Sequence, residues 1–238
     1  MTRKHWTITS DKFLSKVQIE QLLEYLTEQR DLAIARGCRT LQPIRDYYLI
    51  RAMLETGVRV QECCDLVDSD FNGHKLIVRC GKGGKSRTIL LTRATANLIK
   101  EWIVLKQKLS LPSGPVVPLF PSRLNSHYCT RGVQKRVKII FGTLQFPSNL
   151  SCHSLRHTNC SLLLESKKVS LPTVRDNLGH HSLTVTNLYA HACGSIDDVD
   201  LFKGTSSDYL QKAEPGMNLK SVSIGNVTGQ FLRKATFK

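Results

Sequence analysis

The stretch CHSLRHTNC puts two histidines and an arginine, His153, Arg156 and His157, into five residues. Three kinds of chemistry fit such a cluster. It can be the solvated polar end of a helix, a metal site completed by Cys152 and Cys160, or a clamp for an anionic phosphate. The metal reading is the weakest, because the Cys and His spacing matches no recognised ligand set and no second paired cluster supports it. The phosphate reading gains from four other segments. Arg59 lies in ETGVRVQECCDL, Lys82 in GKGGKSRTILL, His180 in LGHHS and Tyr189 in TNLYAHA. Each sits in a turn or at the end of an element.

A phosphodiester carries one negative charge, and more develops on its nonbridging oxygens as it reacts. Guanidiniums are planar, permanently charged forks that match those oxygens, which is the work open to Arg59 and Arg156. Donors aimed at developing charge are commonly the largest catalytic contribution. His153 and His180 can donate to the same oxygens or move protons near neutral pH. Taken singly, these residues say little. Arg59 alone reads as a surface arginine after a helix stop, and Tyr189 alone as a core aromatic. GKGGKS is not a nucleotide-binding loop, since Arg79 stands where that motif needs glycine and a strand follows instead of a helix.

The full ordered set resembles the tyrosine recombinase, or phage integrase, family. Gly57, Arg59 and Glu62 match its TGxRxxEL box, with Cys63 in place of the usual leucine. Lys82 matches the first lysine of its hairpin box, His153 and Arg156 match HxLRH, and His180 matches LGH. Tyr189 follows nine residues later. The likeness covers roughly residues 12–192. It implies a catalytic set of Arg59, Lys82, His153, Arg156, His180 and the nucleophile Tyr189, with Glu62 in support. It further implies cleavage and rejoining of DNA through a covalent 3′-phosphotyrosine, with Lys82 protonating the departing 5′-oxygen. A free phenol is only about 0.1% ionised at neutral pH, so Tyr189 needs nearby cations or a histidine base. No cofactor or metal is expected, because the ester energy stays in the protein–DNA bond and no compact acidic cluster suits two-metal phosphoryl chemistry. Two alternatives remain open: a relaxing or resolving enzyme with the same chemistry, and a DNA-binding protein of the same fold without activity.

The elements that must position these groups read as mainly α with a small antiparallel β-sheet. Ser15 and Gln18 have capping-box spacing before a helix whose inward face is Ile19, Leu22, Leu23 and Leu26. A second helix spans about 44–55, with Tyr47, Ile50 and Leu54 inward and Gly57 as its break. A short helix begins at VRVQECCDL. HKLIVRC and SRTILL form a hairpin over 76–91 with GKGG between its strands. Helices follow from Thr92, over about 130–141 and over 151–166. Shorter ones span LPTVRDNLG and SLTVTNLYAHA, and KSVSIG is a strand candidate.

The chain of 238 residues carries a formal net charge of +15. Between positions 71 and 150 there are fourteen Lys or Arg and one acid, Glu101. A one-signed block of this kind predicts a polyanionic partner bound with strong salt dependence, and double-stranded DNA fits best. Lys85, Arg87, Arg131, Lys135, Arg136 and Lys138 are the expected DNA contacts. No apolar run is long enough to span a bilayer and no signal peptide opens the chain, so no membrane and a cytoplasmic location are expected. Eight scattered cysteines without a CxxC pair agree with a reducing compartment. The expected organisation is a lead-in at 1–11 without an N-terminal core-binding domain, a catalytic domain at 12–197 and an extension at 198–238. The resemblance implies a homotetramer on two DNA sites.

Overall fold

The computed structural model describes residues 10–79, 86–165 and 174. The first helix, α1 (Lys16–Ala35), opens with the expected capping box: Gln18 N–H donates to Ser15 Oγ, and Ser15 N–H donates to Gln18 Oε1 at 2.8 Å. Ile19, Leu22, Leu23 and Leu26 recur at helical spacing and are buried. The chain leaves α1 through Gly37, at φ +72°.

Helix α2 (Gln42–Thr56) starts with Pro43 in its first turn and ends at Gly57, whose φ of +65° is left-handed. Here the structure goes beyond the expected inward face. Every residue from Ile44 to Thr56 is buried, because α1 and two later helices surround α2. Its polar side chains must therefore find partners inside the protein. Arg51 donates through Nε and Nη2 to Glu55 Oε1 at 2.8 and 2.6 Å, and through Nη1 to the Tyr47 hydroxyl. The Arg30 guanidinium lies 4.1 Å from the Tyr47 ring centroid.

A short helix, α3 (Val60–Asp65), follows directly, with Cys63 and Cys64 in the core. A three-stranded antiparallel sheet then runs in the order β1 (Phe71–Asn72), β2 (Lys75–Val78), β3 (Arg87–Leu90). The β2–β3 hairpin matches the expectation, with register from Lys75↔Leu90 to Val78↔Arg87. The two-residue β1 is new. It pairs with β2 across a turn in which Gly73 adopts φ +60°. Leu76, Val78 and Ile89 point into the core.

Helix α4 (Arg93–Lys108) begins at Thr92, whose side chain accepts from Thr95 N–H. It buries Trp102 against Tyr48, ring centroids 4.8 Å apart, and Trp102 Nε1 donates to the Leu119 carbonyl. That bond and Lys106 Nζ donating to Pro118 O tie the segment 111–121, LPSGPVVPLFP, to α4. Helices α5 (Thr130–Thr143) and α6 (Cys152–Glu165) complete the described core. No helix among the described residues is long and apolar enough to cross a membrane. The expected short helices around positions 171–179 and 182–192, apart from the single described position 174, and the strand at KSVSIG lie outside the described residues.

The Arg51–Glu55 pair yields a stability prediction. Arg51→Ala leaves the fully buried Glu55 side chain without its charged partner, and should destabilise the fold by about 3–5 kcal/mol in urea unfolding. A loss within experimental error would show that the pair is dispensable.

Candidate active site

The site is built on the turn between α2 and α3. Gly57 reverses the backbone and Arg59 follows in the extended region, φ −70° and ψ 153°, as the residue before α3. Glu62, three residues on, reaches back to it. Arg59 N–H donates to Glu62 Oε2 and Arg59 Nη1 donates to Oε1, both at 2.8 Å. A second guanidinium arrives from β3. Arg87 Nη1 and Nη2 donate to Oε1 and Oε2 at 2.8 and 2.7 Å. Burial alone would raise the Glu62 pKa. The Arg87 hydrogen bonds and the Arg59 backbone and side-chain bonds outweigh it and hold the carboxyl at about 2.

Helix α6 meets the same turn from the other side. Its start is organised by Ser151 N–H donating to Ser154 Oγ and His153 N–H donating to Ser151 Oγ. His153 is exposed and Arg156, one turn later on the same face, is buried. Arg156 Nη1 donates to the Gly57 carbonyl. One turn further, Asn159 Nδ2 donates to the Glu55 carbonyl at 3.0 Å. Both acceptors belong to the C-terminal end of α2, where carbonyls lack helical partners and the helix dipole is negative. Arg156 therefore holds the turn that carries Arg59 two residues later. The lead-in segment packs behind α6: Leu14 N–H donates to Thr158 Oγ1 at 2.9 Å, and Phe13 meets the His157 ring edge-on. Burial, reinforced by His153, Arg156 and Lys12, pushes the His157 pKa down to about 4, so this imidazole is neutral at physiological pH. It packs beside the site, and among the described residues no three His, Cys, Asp or Glu side chains gather as a metal cluster.

The remaining expected residues divide three ways. Arg131, Lys135 and Lys138 are exposed on α5 at i, i+4 and i+7, so they form one basic stripe. Arg87 and Arg136, expected on DNA, each hold a carboxylate of the protein. Arg87 is bound to Glu62 and its side chain is 11% exposed, while Arg136 is bound to Asp46 of α2. Lys82, Lys85, His180 and Tyr189 lie outside the described residues. Sequence reasoning missed two participants. One is Asn159. The other is Arg87 as a partner of Glu62, for which strand parity was a signal: Arg87 shares the inward face of β3 with Ile89, and an arginine facing a core needs a carboxylate.

A model of the phage integrase family matches residues 12–194. The chain belongs to the phage integrase family. Among curated proteins, tyrosine recombinase XerC of Pseudomonas entomophila is 34% identical over 149 residues, covering 62% of this chain and 48% of the relative. Tyrosine recombinase XerC of Vibrio vulnificus is 30% identical over 181 residues, covering 76% and 53%. The chain thus spans about half the length of the curated relatives it matches. Among solved structures, XerA recombinase aligns with a TM-score of 0.61 at 20% identity, over 83% of this chain and 62% of that one. XerH site-specific recombinase bound to difH substrate aligns with a TM-score of 0.56 at 25% identity, over 76% and 50%. The mainly α architecture with a three-stranded antiparallel sheet is that of the phage integrase family.

The Glu62 pKa fixes a pH dependence. A carboxyl held near 2 in the fold and near 4.5 when unfolded stabilises the protein fully above about pH 4.5. That contribution, on the order of 3 kcal/mol, is lost as pH falls toward 2. Glu62→Gln should flatten the acid limb of thermal stability across this window. An unchanged limb would mean that Glu62 is not the titrating group.

Proposed function

We propose that this chain carries the catalytic domain of a site-specific DNA recombinase that cuts and rejoins strands through a 3′-phosphotyrosine. The observation that carries the reading is the meeting of the Arg59 and Arg156 segments at one turn, with Arg156 on Gly57 O across 99 residues of sequence. The tyrosine recombinases it resembles in sequence, and the XerH complex with its DNA substrate, support the same reading.

In this mechanism Arg59 and Arg156 hold the two nonbridging oxygens of the scissile phosphate. Their fixed positive charge opposes the charge that builds there. The Tyr189 oxygen attacks phosphorus, the bond from phosphorus to the 5′-oxygen breaks, and Lys82 gives that oxygen its proton. His153 and His180 donate to the phosphate oxygens, and one of them, as the neutral imidazole, takes the proton that Tyr189 gives up. Attack by the 5′-hydroxyl of a second strand on the phosphotyrosine reverses the step and releases Tyr189. The ester bond is exchanged and not hydrolysed, so the reaction is close to isoenergetic. Residues 12–197 form the catalytic unit and 198–238 an extension, with four protomers acting on two double-stranded DNA sites. Arg131, Lys135 and Lys138, with Lys85, carry the contacts to the DNA backbone. Arg87 and Arg136 hold Glu62 and Asp46.

Two measurements test this. A nicked suicide duplex carrying the target site should give a denaturation-resistant protein–DNA adduct in chelator, and Tyr189→Phe should abolish it. An adduct surviving that change would remove Tyr189 as nucleophile. No wild-type adduct together with tight DNA binding would favour the inactive DNA-binding alternative. The log of DNA affinity should fall linearly with the log of salt concentration, and Lys135→Ala and Lys138→Ala should each make the slope shallower by about 1. A slope unaltered in both variants would take α5 off the DNA backbone.

A further inference from the structure

We propose that Arg87 is a positioning residue for this site: by sharing Glu62 with Arg59 it keeps the trio cationic, holds the Arg59 fork toward its ligand, and ties the base of the β2–β3 hairpin to α3. The proposal rests on the reading of Arg59 as a phosphate-binding group.

An ionised carboxylate offers about four acceptor positions. Four donors fill those of Glu62. Oε1 takes Arg59 Nη1 and Arg87 Nη1, and Oε2 takes the Arg59 backbone N–H and Arg87 Nη2. Arg87 therefore holds half of the acceptor capacity, in the parallel two-bond geometry that suits guanidinium best. Arg59 is left with one side-chain bond to the carboxylate. Without Arg87 two positions open, and the guanidinium already in contact is the one placed to fill them. A two-bond Arg59–Glu62 pair would turn the fork toward α3 and cancel its charge. With Arg87 present the three groups sum to one positive charge, so Glu62 can orient Arg59 without neutralising it.

The same contact positions the hairpin. Val78↔Arg87 is the final registered pair of β2 and β3, and the segment carrying Lys82 lies between those two residues in sequence. The pair thus joins the ends of β2 and β3 beside the Arg59 turn. Arg87 is the wrong residue for a surface phosphate contact. Its side chain is 11% exposed and its paired nitrogens face Glu62, which is 3% exposed. Among the described residues, the charged and titratable groups about Glu62 are Arg59 just before α3, Cys63 on α3 and Arg87 on β3.

The test compares wild type, Arg87→Gln, Arg87→Lys and the double variant Arg87→Gln/Glu62→Gln for two readouts, adduct formation on the nicked suicide duplex and noncovalent affinity for the same duplex. Arg87→Gln should slow adduct formation by on the order of 10- to 100-fold with little change in affinity. Arg87→Lys keeps the charge without the fork and should fall between. Removing the unbalanced carboxylate in the double variant should recover part of the rate. Affinity falling in step with rate would make Arg87 a DNA contact, and a double variant no faster than Arg87→Gln would remove Glu62 as the route; either result overturns the proposal. Should Arg87→Gln not fold by circular dichroism, Arg87→Lys carries the comparison. Should wild type form no adduct, the recombinase reading fails by itself. Arg87 is then judged on thermal stability against pH, where its loss should shrink the acid-dependent window of Glu62. An unaltered window would overturn the pairing.

Discussion

The contact on which the site depends is the bond from Arg156 to the Gly57 carbonyl. It joins α6 to the end of α2 and so brings together two segments far apart in sequence. Two physical facts make it strong. A helix C-terminus presents carbonyls without intrahelical partners, and its dipole is negative there. A guanidinium supplies several fixed donors and a charge of the right sign. Gly57 is suited to the position because it takes φ +65° without the penalty a side chain would bring. The left-handed turn then throws Arg59 into extended backbone immediately before α3. One backbone reversal therefore fixes both arginines, the first through the chain and the second through its hydrogen bond.

Charge is arranged in the rest of the molecule to serve that corner. The protein has few acids, and several of them are spent inside. Glu62 holds Arg59 and Arg87, Asp46 holds Arg136, Glu55 holds Arg51, Asp68 holds Lys106 and Asp70 holds Arg79. Most of these ties join different elements, so they act as fasteners on largely buried carboxylates whose value lies in geometry more than in net stability. Exposed acids collect on α1, where Glu20, Glu24 and Glu28 recur every fourth residue. The consequence is segregation. Cations on α5 face solvent without acids interleaved among them, which leaves a one-signed basic surface there.

Much of this was legible in the sequence, and the limits have physical reasons. Capping box, hydrophobic spacing and glycine stops located α1, α2 and α4, because those signals are local. The hairpin was legible from alternation. Arg59, Glu62, His153 and Arg156 stood out because residue type and order together are specific where each alone is not. Partnership was not legible. Arg87 and Arg136 looked like members of a basic surface because a linear count of charge does not see that Glu62 and Asp46 come from outside the block. The burial of α2 on all sides was not legible either, because it depends on helices that arrive later in the chain. Only the inward parity of Arg87 and Ile89 carried a local hint.

Asn159 shows how far positioning outweighs stability in this region. Its Nδ2 donates to Glu55 O, a bond worth about 1 kcal/mol net, while its Oδ1 is buried without a partner, which costs about 1–3 kcal/mol. Glu55 Oε2 is likewise buried and unpartnered. An apolar residue at 159 would remove one of those debts, so stability alone does not explain the asparagine. Register does. Arg156 meets residue 57 and Asn159, one turn along α6, meets residue 55. Two bonds at successive turns resist sliding of α6 along α2, which an apolar contact tolerates because it has no direction. A slide of one turn would carry Arg156 about 5 Å from the Gly57 carbonyl. The polar pair thus sets the position of the guanidinium to within a hydrogen bond.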